Sequence, residues 1–428
     1  MNFWSTFVRI FRAPDLRRKI LITVSLLLVF RVISHIPVPN VDAASLESFF
    51  SGNSFFGLLD VFSGGSLSRF SIAAMGVNPY INASIIIQLL KMIIPKLEET
   101  FKDGERGRQK MNQYMRWLTL PLALIQGFGL VMLFRSPQAN VLPDISALEV
   151  VQIMIALTAG AMLLMWIGEL ISEYGVGNGI SLLIFAGIVG EIPVSFSGLS
   201  LRAESGDFLP ILLLIAITLV SIFLVVLINE GNRKIPVTYA KRIRGGQTYG
   251  GANTHIPLKV NTAGVIPIIF ALSILSFPAL VANFFTSAES TFISNTAQNV
   301  IQLFDMQSPF YYFIYFVLVI GFTYFYTLVT FNPEDVADNL KKQGGFIPGV
   351  RPGEATVNYL GRILNRITLA GAVFLGFIAV LPFIIERTTN INAIIGGTSL
   401  LIVVSVILET MRQMKAQLVM RDYEQFLG

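Results

Sequence analysis

Of the chain's 428 residues, 54% are hydrophobic and 13% charged, roughly half the charged share of an ordinary soluble protein, so it belongs in a membrane. Its formal charge is +5, and it has no cysteine and two histidines. Disulfides, thiolate metal sites and cysteine nucleophiles are excluded, and a histidine metal site or a Ser/His/Asp triad has almost nothing to be built from. No P-loop sequence occurs, so nucleotide binding of that kind is excluded as well.

Runs approaching the ~20 apolar residues that cross a bilayer predict ten spans, at 20–36, 76–95, 117–134, 149–171, 179–199, 208–229, 261–284, 310–331, 367–385 and 393–411. Lys and Arg are retained on the cytoplasmic side, and here they crowd alternate connections. They lie before span 1 (Arg9 to Lys19), after span 2 (Lys96 to Arg116), after span 6 (Arg233 to Lys259), after span 8 (Lys341 to Arg366) and at the C-terminus (Arg412, Lys415, Arg421). Arg69, Arg135, Arg202 and Arg387 fall opposite. This bias predicts a multi-pass protein with both termini cytoplasmic. Residues 1–44 also have the basic start and apolar core of a signal peptide, but Arg31 and His35 interrupt that core, and its removal would leave nine spans.

After span 1, residues 57–72, GLLDVFSGGSLSRFSI, are half apolar and broken at Gly64-Gly65. Too short and polar to span, they either dip into the membrane as a re-entrant helix surrounded by protein or lie as an amphipathic helix on the outer surface. A re-entrant segment directly before a span interrupted by Pro79 has the position of a movable stopper. Span 2 carries Asn78, Asn82, Ser84 and Gln88, and span 7 opens with Asn261-Thr262; such side chains glue helices together or line a conduit or seam. GVGNGI at 175–180 predicts a tight turn needing positive φ rather than a dinucleotide fingerprint, because no strand precedes it. His35 and His255 are expected in loops, bonded to backbone. The connections 232–260 and 331–354 are long, basic and punctuated by Gly and Pro. They either anchor topology against anionic lipid or dock an acidic protein or an RNA surface.

Most of GVNPYI (76–81) recurs as GVIPII (264–269), and ISLLI (180–184) is echoed by TSLLI (398–402). One member of each pair falls in either half, 1–200 or 201–428. With five spans per half, the second half begins on the other side of the membrane, which makes the repeat inverted. The matching positions, Ile81 with Ile269 and Ile184 with Ile402, can then surround one midplane point. Four aliphatics there make a constriction that resists water and ions by dewetting, and such a ring suits a large, variable substrate because it has no binding chemistry. The predicted fold is all-α: ten transmembrane helices in two inverted five-helix halves, with a short re-entrant helix at about 57–71 and long cytoplasmic loops at about 230–260 and 332–366. The predicted function is a membrane conduit and not an enzyme. An inverted-repeat secondary transporter of a small solute is the alternative; it needs a charged or strongly polar midplane site, whereas Glu169 and Glu386 fall near span ends. An intramembrane hydrolase lacks a histidine, thiol or paired-carboxylate constellation.

The blocks FRAPDLRRKILIT, VFSGGSLSR, PYINASIIIQLL, GNGISLLIFAGI, THIPLKVNTAGVIP, FNPEDVADNLKKQGGFIPGVRPGE and GGTSLLIVV run in this order through almost the whole chain. Together they resemble the SecY family of bacterial protein-conducting translocon subunits. The resemblance implies a clam-like shell, hinged between spans 5 and 6, around an hourglass pore in the bacterial inner membrane. Unfolded secretory polypeptides would cross through it, and hydrophobic segments would leave sideways into lipid. It implies a pore ring of Val77, Ile81, Ile184, Ile269 and Ile402, and a plug that includes Phe62, Ser63, Gly64, Gly65, Ser66 and Leu67. It implies a lateral gate between spans 2 and 7 with Asn82, Gln88 and Phe277, and motor or ribosome docking through Arg242, Arg244 and Arg351. Where many relatives continue the basic run in the loop after span 6, this chain reads Gly245-Gly246-Gln247. The implied partners are a small essential SecE-type subunit that clamps the halves, a SecG-type accessory subunit, a SecA-type motor ATPase, the ribosome, signal-sequence-bearing polypeptides and membrane lipid. No cofactor is implied, and the energy for transport comes from the partners.

Overall fold

In hydrocarbon every backbone N–H and C=O must be satisfied within its own segment, so long apolar runs become helices. The computed structural model describes residues 13–39, 41–52, 57, 60, 63–135, 141–142, 145–204, 208–239, 242–244, 247–249, 253–285, 290–304, 308–389 and 397–427. Its helices are α1 (Pro14–Ile33), α2 (Ala43–Gly52), α3 (Asn78–Ile93), α4 (Pro95–Lys102), α5 (Glu105–Arg135), α6 (Ala147–Tyr174), α7 (Gly179–Glu204), α8 (Phe208–Glu230), α9 (Ile266–Phe285), α10 (Thr291–Leu303), α11 (Pro309–Thr330), α12 (Pro333–Lys342), α13 (Glu354–Thr389) and α14 (Gly397–Leu427). Helices α1, α3, α5, α6, α7, α8, α9, α11, α13 and α14 each fall on one of the ten predicted spans.

Helices α5, α6, α8, α11 and α13 are individually long and apolar enough to cross a membrane. Others fall short for local reasons. Helix α3 has 16 residues before the chain bends by 109° into α4, and this bent pair passes the same test only when taken as one span. Helix α1 carries Arg17, Arg18 and Lys19 in its first turns and Arg31 in its last. Pro79 does not interrupt its span as expected; it lies in the first turn of α3, where a missing N–H costs nothing. Pro267 occupies the second position of α9 in the same way. Helix α6 opens with a reciprocal capping box between Ser146 and Glu149. It ends at Tyr174, and Gly177 takes a φ of 90° in the turn before α7, which is the left-handed geometry expected there.

Two groups of helices result. Helix α1 packs on α6 and α7, α3 on α5, α5 on α6, and α6 on α7; α8 packs on α14, α9 on α11, α11 on α13, and α13 on α14. The groups meet along two seams: α7 against α8 and α14 on one side, and α9 against α3 and α5 on the other. Helix α7 continues to Glu204, beyond the expected division at residue 200. The largest apolar cluster draws on both groups. At the basic face a small separate contact joins the two ends of the chain, where Ala13, Leu16 and Ile20 meet Leu418 and Met414 of α14.

To the expected helical shell the structure adds a small amount of strand on the basic face. Strand β1 (Asn232–Tyr239) pairs antiparallel with both β4 (Asn253–Lys259) and β5 (Gly345–Phe346), and β2 (Arg242–Arg244) pairs with β3 (Gln247–Tyr249). The two long basic connections therefore fold together. Ile235 and Val237 point inward and Pro236 outward, the period-2 alternation of a strand with one buried face. Leu340 of α12, Ile347 and Leu360 of α13 complete this core. Pro236 and Pro257 disguised the strands, because prolines within an apolar run suggest loop. His255 consequently sits on β4, opposite Pro236, rather than in a loop. His35 follows α1 with its Nδ1 2.8 Å from the carbonyl oxygen of Arg31, the backbone bond expected of it. Residues 354–366, also expected as loop, form the first turns of α13.

Candidate functional site: an apolar ring and its stopper

The repeated hexapeptides build the same local structure twice. Gly76 and Gly264 adopt φ of 55° and 65°, a region that costs a residue with a Cβ 1–2 kcal/mol or so. The carbonyl of Val77 then accepts from the N–H of Ile81 at 3.0 Å, as that of Val265 accepts from Ile269 at 3.3 Å. Each pair thus spans one helical turn and shares a face. Val77, Ile81, Ile184 and Ile402 are 6%, 6%, 4% and 0% exposed and belong to one continuous apolar cluster, against which the half-buried Ile269 packs. All five expected ring residues, Val77 just before α3 and the others on α3, α7, α9 and α14, thus lie in or against the largest apolar cluster, which takes in many further residues from both helix groups. Val265 is buried in the same cluster; the hexapeptide alignment offered it as the counterpart of Val77, but sequence reasoning passed it over.

Residues 57, 60 and 63 are helical, but the expected helix to Ser71 stops there. From Gly64 the chain runs through tight turns to α3, with Gly64 and Gly65 at φ of 71° and 74°. Asp60 organises the turn: its Oδ1 accepts from the N–H groups of Leu67 (2.9 Å) and Ser68 (2.8 Å), and its carbonyl accepts from the N–H of Gly65 (2.9 Å). Ser63, Gly64, Gly65, Ser66 and Leu67 are all buried, so the segment is enclosed by protein rather than laid on the outer surface. Phe62 lies outside the described residues.

The turn packs against the segments that carry Val77 and Ile184. A Cβ on Gly76, next to Val77, would stand 3.7 Å from Ser63 Cα, and one on Gly64 would stand 2.9 Å from Gly187 Cα. Gly187 follows Ile184 by three residues on the same face of α7, roughly 4.5 Å further along the axis. Beyond it lies a charged cluster. Arg31 donates from Nη1 to the Gly64 carbonyl (2.8 Å) and from Nη2 to the Gly190 carbonyl (3.0 Å). Its guanidinium also pairs with Glu191 at 3.4 Å, which Arg69 approaches to 3.8 Å. Sequence reasoning used Arg31 only as an argument against a signal peptide and Arg69 only as a topology marker, and it passed over Glu191. An ionisable residue inside span 5 was the available signal.

Helix α3 packs on α9 as expected of a seam between spans 2 and 7. Asn82 is half-buried on α3. Gln88 donates from Nε2 to Ser84 Oγ one turn back at 2.9 Å. Phe277 lies on α9, its side chain outside the described residues. Asn261 precedes α9 and acts as glue: its Nδ2 donates to Asn229 Oδ1 (2.9 Å), and Asn229 donates in turn to Ser405 Oγ (2.7 Å). Arg242 and Arg244 lie on β2, where the backbone alone is described. Arg351 is exposed just before α13, on the small basic-face fold that also exposes Arg233, Lys234, Lys341 and Lys342. Arg116 of α5 donates from Nε to the Glu169 carboxylate of α6 at 2.8 Å.

The SecY family profile matches residues 71–411. The protein translocase subunit SecY of Halalkalibacterium halodurans is 47% identical, over 99% of both chains. A solved structure of SecY, whose plug domain is described as stabilising the closed state of the translocation channel and maintaining a membrane seal, superposes with a TM-score of 0.67 at 19% identity, over 94% of this chain and 92% of its own. Sec61 in the canine ribosome–channel complex from the endoplasmic reticulum superposes with a TM-score of 0.63 at 17% identity, over the same shares. These likenesses define the fold as that of a multi-pass channel of ten transmembrane helices in two inverted halves with a plug. By sequence match along most of its length, the chain belongs to the SecY family.

Proposed function

We propose that the chain is the central pore-forming subunit of a protein translocation channel, passing unfolded secretory polypeptides across the bacterial cytoplasmic membrane and releasing hydrophobic segments between α3 and α9. The observation that supports this reading is that Val77, Ile81, Ile184, Ile269 and Ile402 lie in or against one apolar cluster, while the buried turn at 63–67 approaches Gly76 and Gly187, close neighbours of Val77 and Ile184 in the chain. An apolar ring contacts any side chain weakly and closes around a moving chain, which limits ion leak. Family membership favours this channel, and the small-solute transporter gains no support from it.

Residues 1–200 and 201–428 act as the two halves, hinged near the α7–α8 connection, with the plug between them and both termini cytoplasmic. The basic-face fold built from the connections at 230–260 and 332–366 is the docking platform for the ribosome and a SecA-type motor, through Arg351 and the strand residues Arg242 and Arg244. A SecE-type subunit clamps the halves, and a SecG-type subunit attends them. Because Arg351 is exposed, Arg351→Glu should leave the protein inserted and as protease-resistant as the parent while motor-driven export falls about tenfold, the scale of one lost charge-assisted contact. Normal export in that variant removes Arg351 from the docking surface.

The reading as a whole is tested by a photo-crosslinking amino acid at Ile81, Ile184, Ile269 and Ile402, one at a time, with a secretory precursor stalled in transit. Crosslinks to the precursor at all four positions, absent from the exposed α8 position Leu212, are the expected result. Their absence with a demonstrably engaged precursor reduces the isoleucines to packing.

A further inference from the structure

We propose that Glu191 is a positioning residue for the stopper: a carboxylate shared by Arg31 and Arg69 that fastens the Gly64-Gly65 turn to α7 and so sets how readily the channel opens. The inference rests on the reading of 63–67 as the plug. Ile184, Gly187 and Glu191 follow one another at helical spacing on α7, so one face carries the ring, the surface against which Gly64 packs, and the charge that holds the cluster. Gly64 approaches α7 closely because neither it nor Gly187 has a side chain; a Cβ on Gly64 would stand 2.9 Å from Gly187 Cα.

The physical logic runs through Arg31. This side chain comes from α1 and spends two donors on carbonyls, one from the turn (Gly64) and one from α7 (Gly190). Those bonds alone would hold two neutral acceptors with a half-buried charge, which is costly without a counter-ion. Glu191 supplies it: the side chain is 11% exposed against 31% for Arg31. The carboxylate also reaches Arg69, which lies where the turn leads back toward α3. A Cβ on Gly65 would collide with Glu191 Oε1 and stand 2.8 Å from Arg69 Nη1, so the turn, the carboxylate and both arginines are mutually fitted. Seating the turn thus requires Glu191 on one rigid element, Arg31 on another and the Gly-Gly pair between them.

The chain has no native cysteine, so Ser66→Cys places a single thiol in the buried turn, read by its reaction with a membrane-impermeant maleimide added on the side opposite the basic face. In the assembled translocon, Glu191→Gln, which preserves shape and removes charge, should raise the reaction rate about ten- to a hundredfold, the effect of losing a charge-assisted contact. Arg69→Gln should raise it less, and a control thiol at Ser221, equally buried on α8, should keep its rate. Export of a precursor with a shortened signal sequence should rise in parallel, a gain that general loosening of the fold would not give. An unchanged rate at Ser66→Cys in Glu191→Gln overturns the inference, and if that variant does not accumulate, an unchanged rate in Arg69→Gln does so. Raised thiol reactivity with unchanged resting ion conductance would keep the Glu191 seat while removing the sealing role from the plug itself.

Discussion

Replacing Ile81, Ile184 and Ile402 together by asparagine makes the resting channel leak ions. The conductance of planar bilayers holding the purified complex should rise more than about tenfold, since each ~1.4 kcal/mol removed from a barrier is a factor of ten. All three side chains are buried in one largely apolar cluster, and an aliphatic side chain offers water no hydrogen-bonding partner. Three amides would supply those partners at the proposed ring. Such exchanges also disturb packing, at a cost of about 2–5 kcal/mol for large core truncations, so conductance must be scaled to the amount of inserted, protease-resistant protein. Asparagine at Phe223, exposed on α8, should change nothing. Unchanged conductance in the triple variant refutes the ring.

Joining α3 to α9 should abolish export altogether. Cysteines at Asn82 and Phe277, in a chain with no thiols of its own, should crosslink in the resting state, because the two helices already pack together along one of the seams between the helix groups. A crosslinked seam cannot part, so precursor should neither cross nor enter lipid until the link is reduced. A control link between Phe316 and Phe377, whose rings lie 5.6 Å apart on α11 and α13 within one group, should leave export intact. Failure of the first pair to crosslink at rest, or full export with the link in place, would sink the gate assignment.

The transmembrane architecture was legible because hydropathy and the placement of Lys and Arg respond to the solvent, and the bilayer imposes that solvent on every span. Helix α8, almost uniformly apolar, is the plainest case. The matching start of α3 and α9 was legible for a different reason: two hexapeptides with the same glycine and proline spacing had to open helices in the same way, and Gly76 and Gly264 do. What escaped were features fixed by tertiary partners. The turn after Ser63 is made by Asp60 and two glycines rather than by helical periodicity. The basic-face fold pairs β1 with β5, strands more than a hundred residues apart in the chain, and no local pattern announces a contact that distant. Glu191 was visible as a charge in a span, but its role depends on Arg31 and Arg69 meeting it from elsewhere.

The contact of Ala13 and Leu16 with Leu418 has a bearing on how the protein is made. Synthesis proceeds from the N-terminus and early segments fold as they emerge, yet the apolar partner of α1 belongs to α14. Until α14 is synthesised, the start of α1 lacks this cover, and a chain stopped short keeps that surface exposed. This contact can therefore close only late in synthesis, after the polypeptide has already threaded back and forth through all the intervening helices.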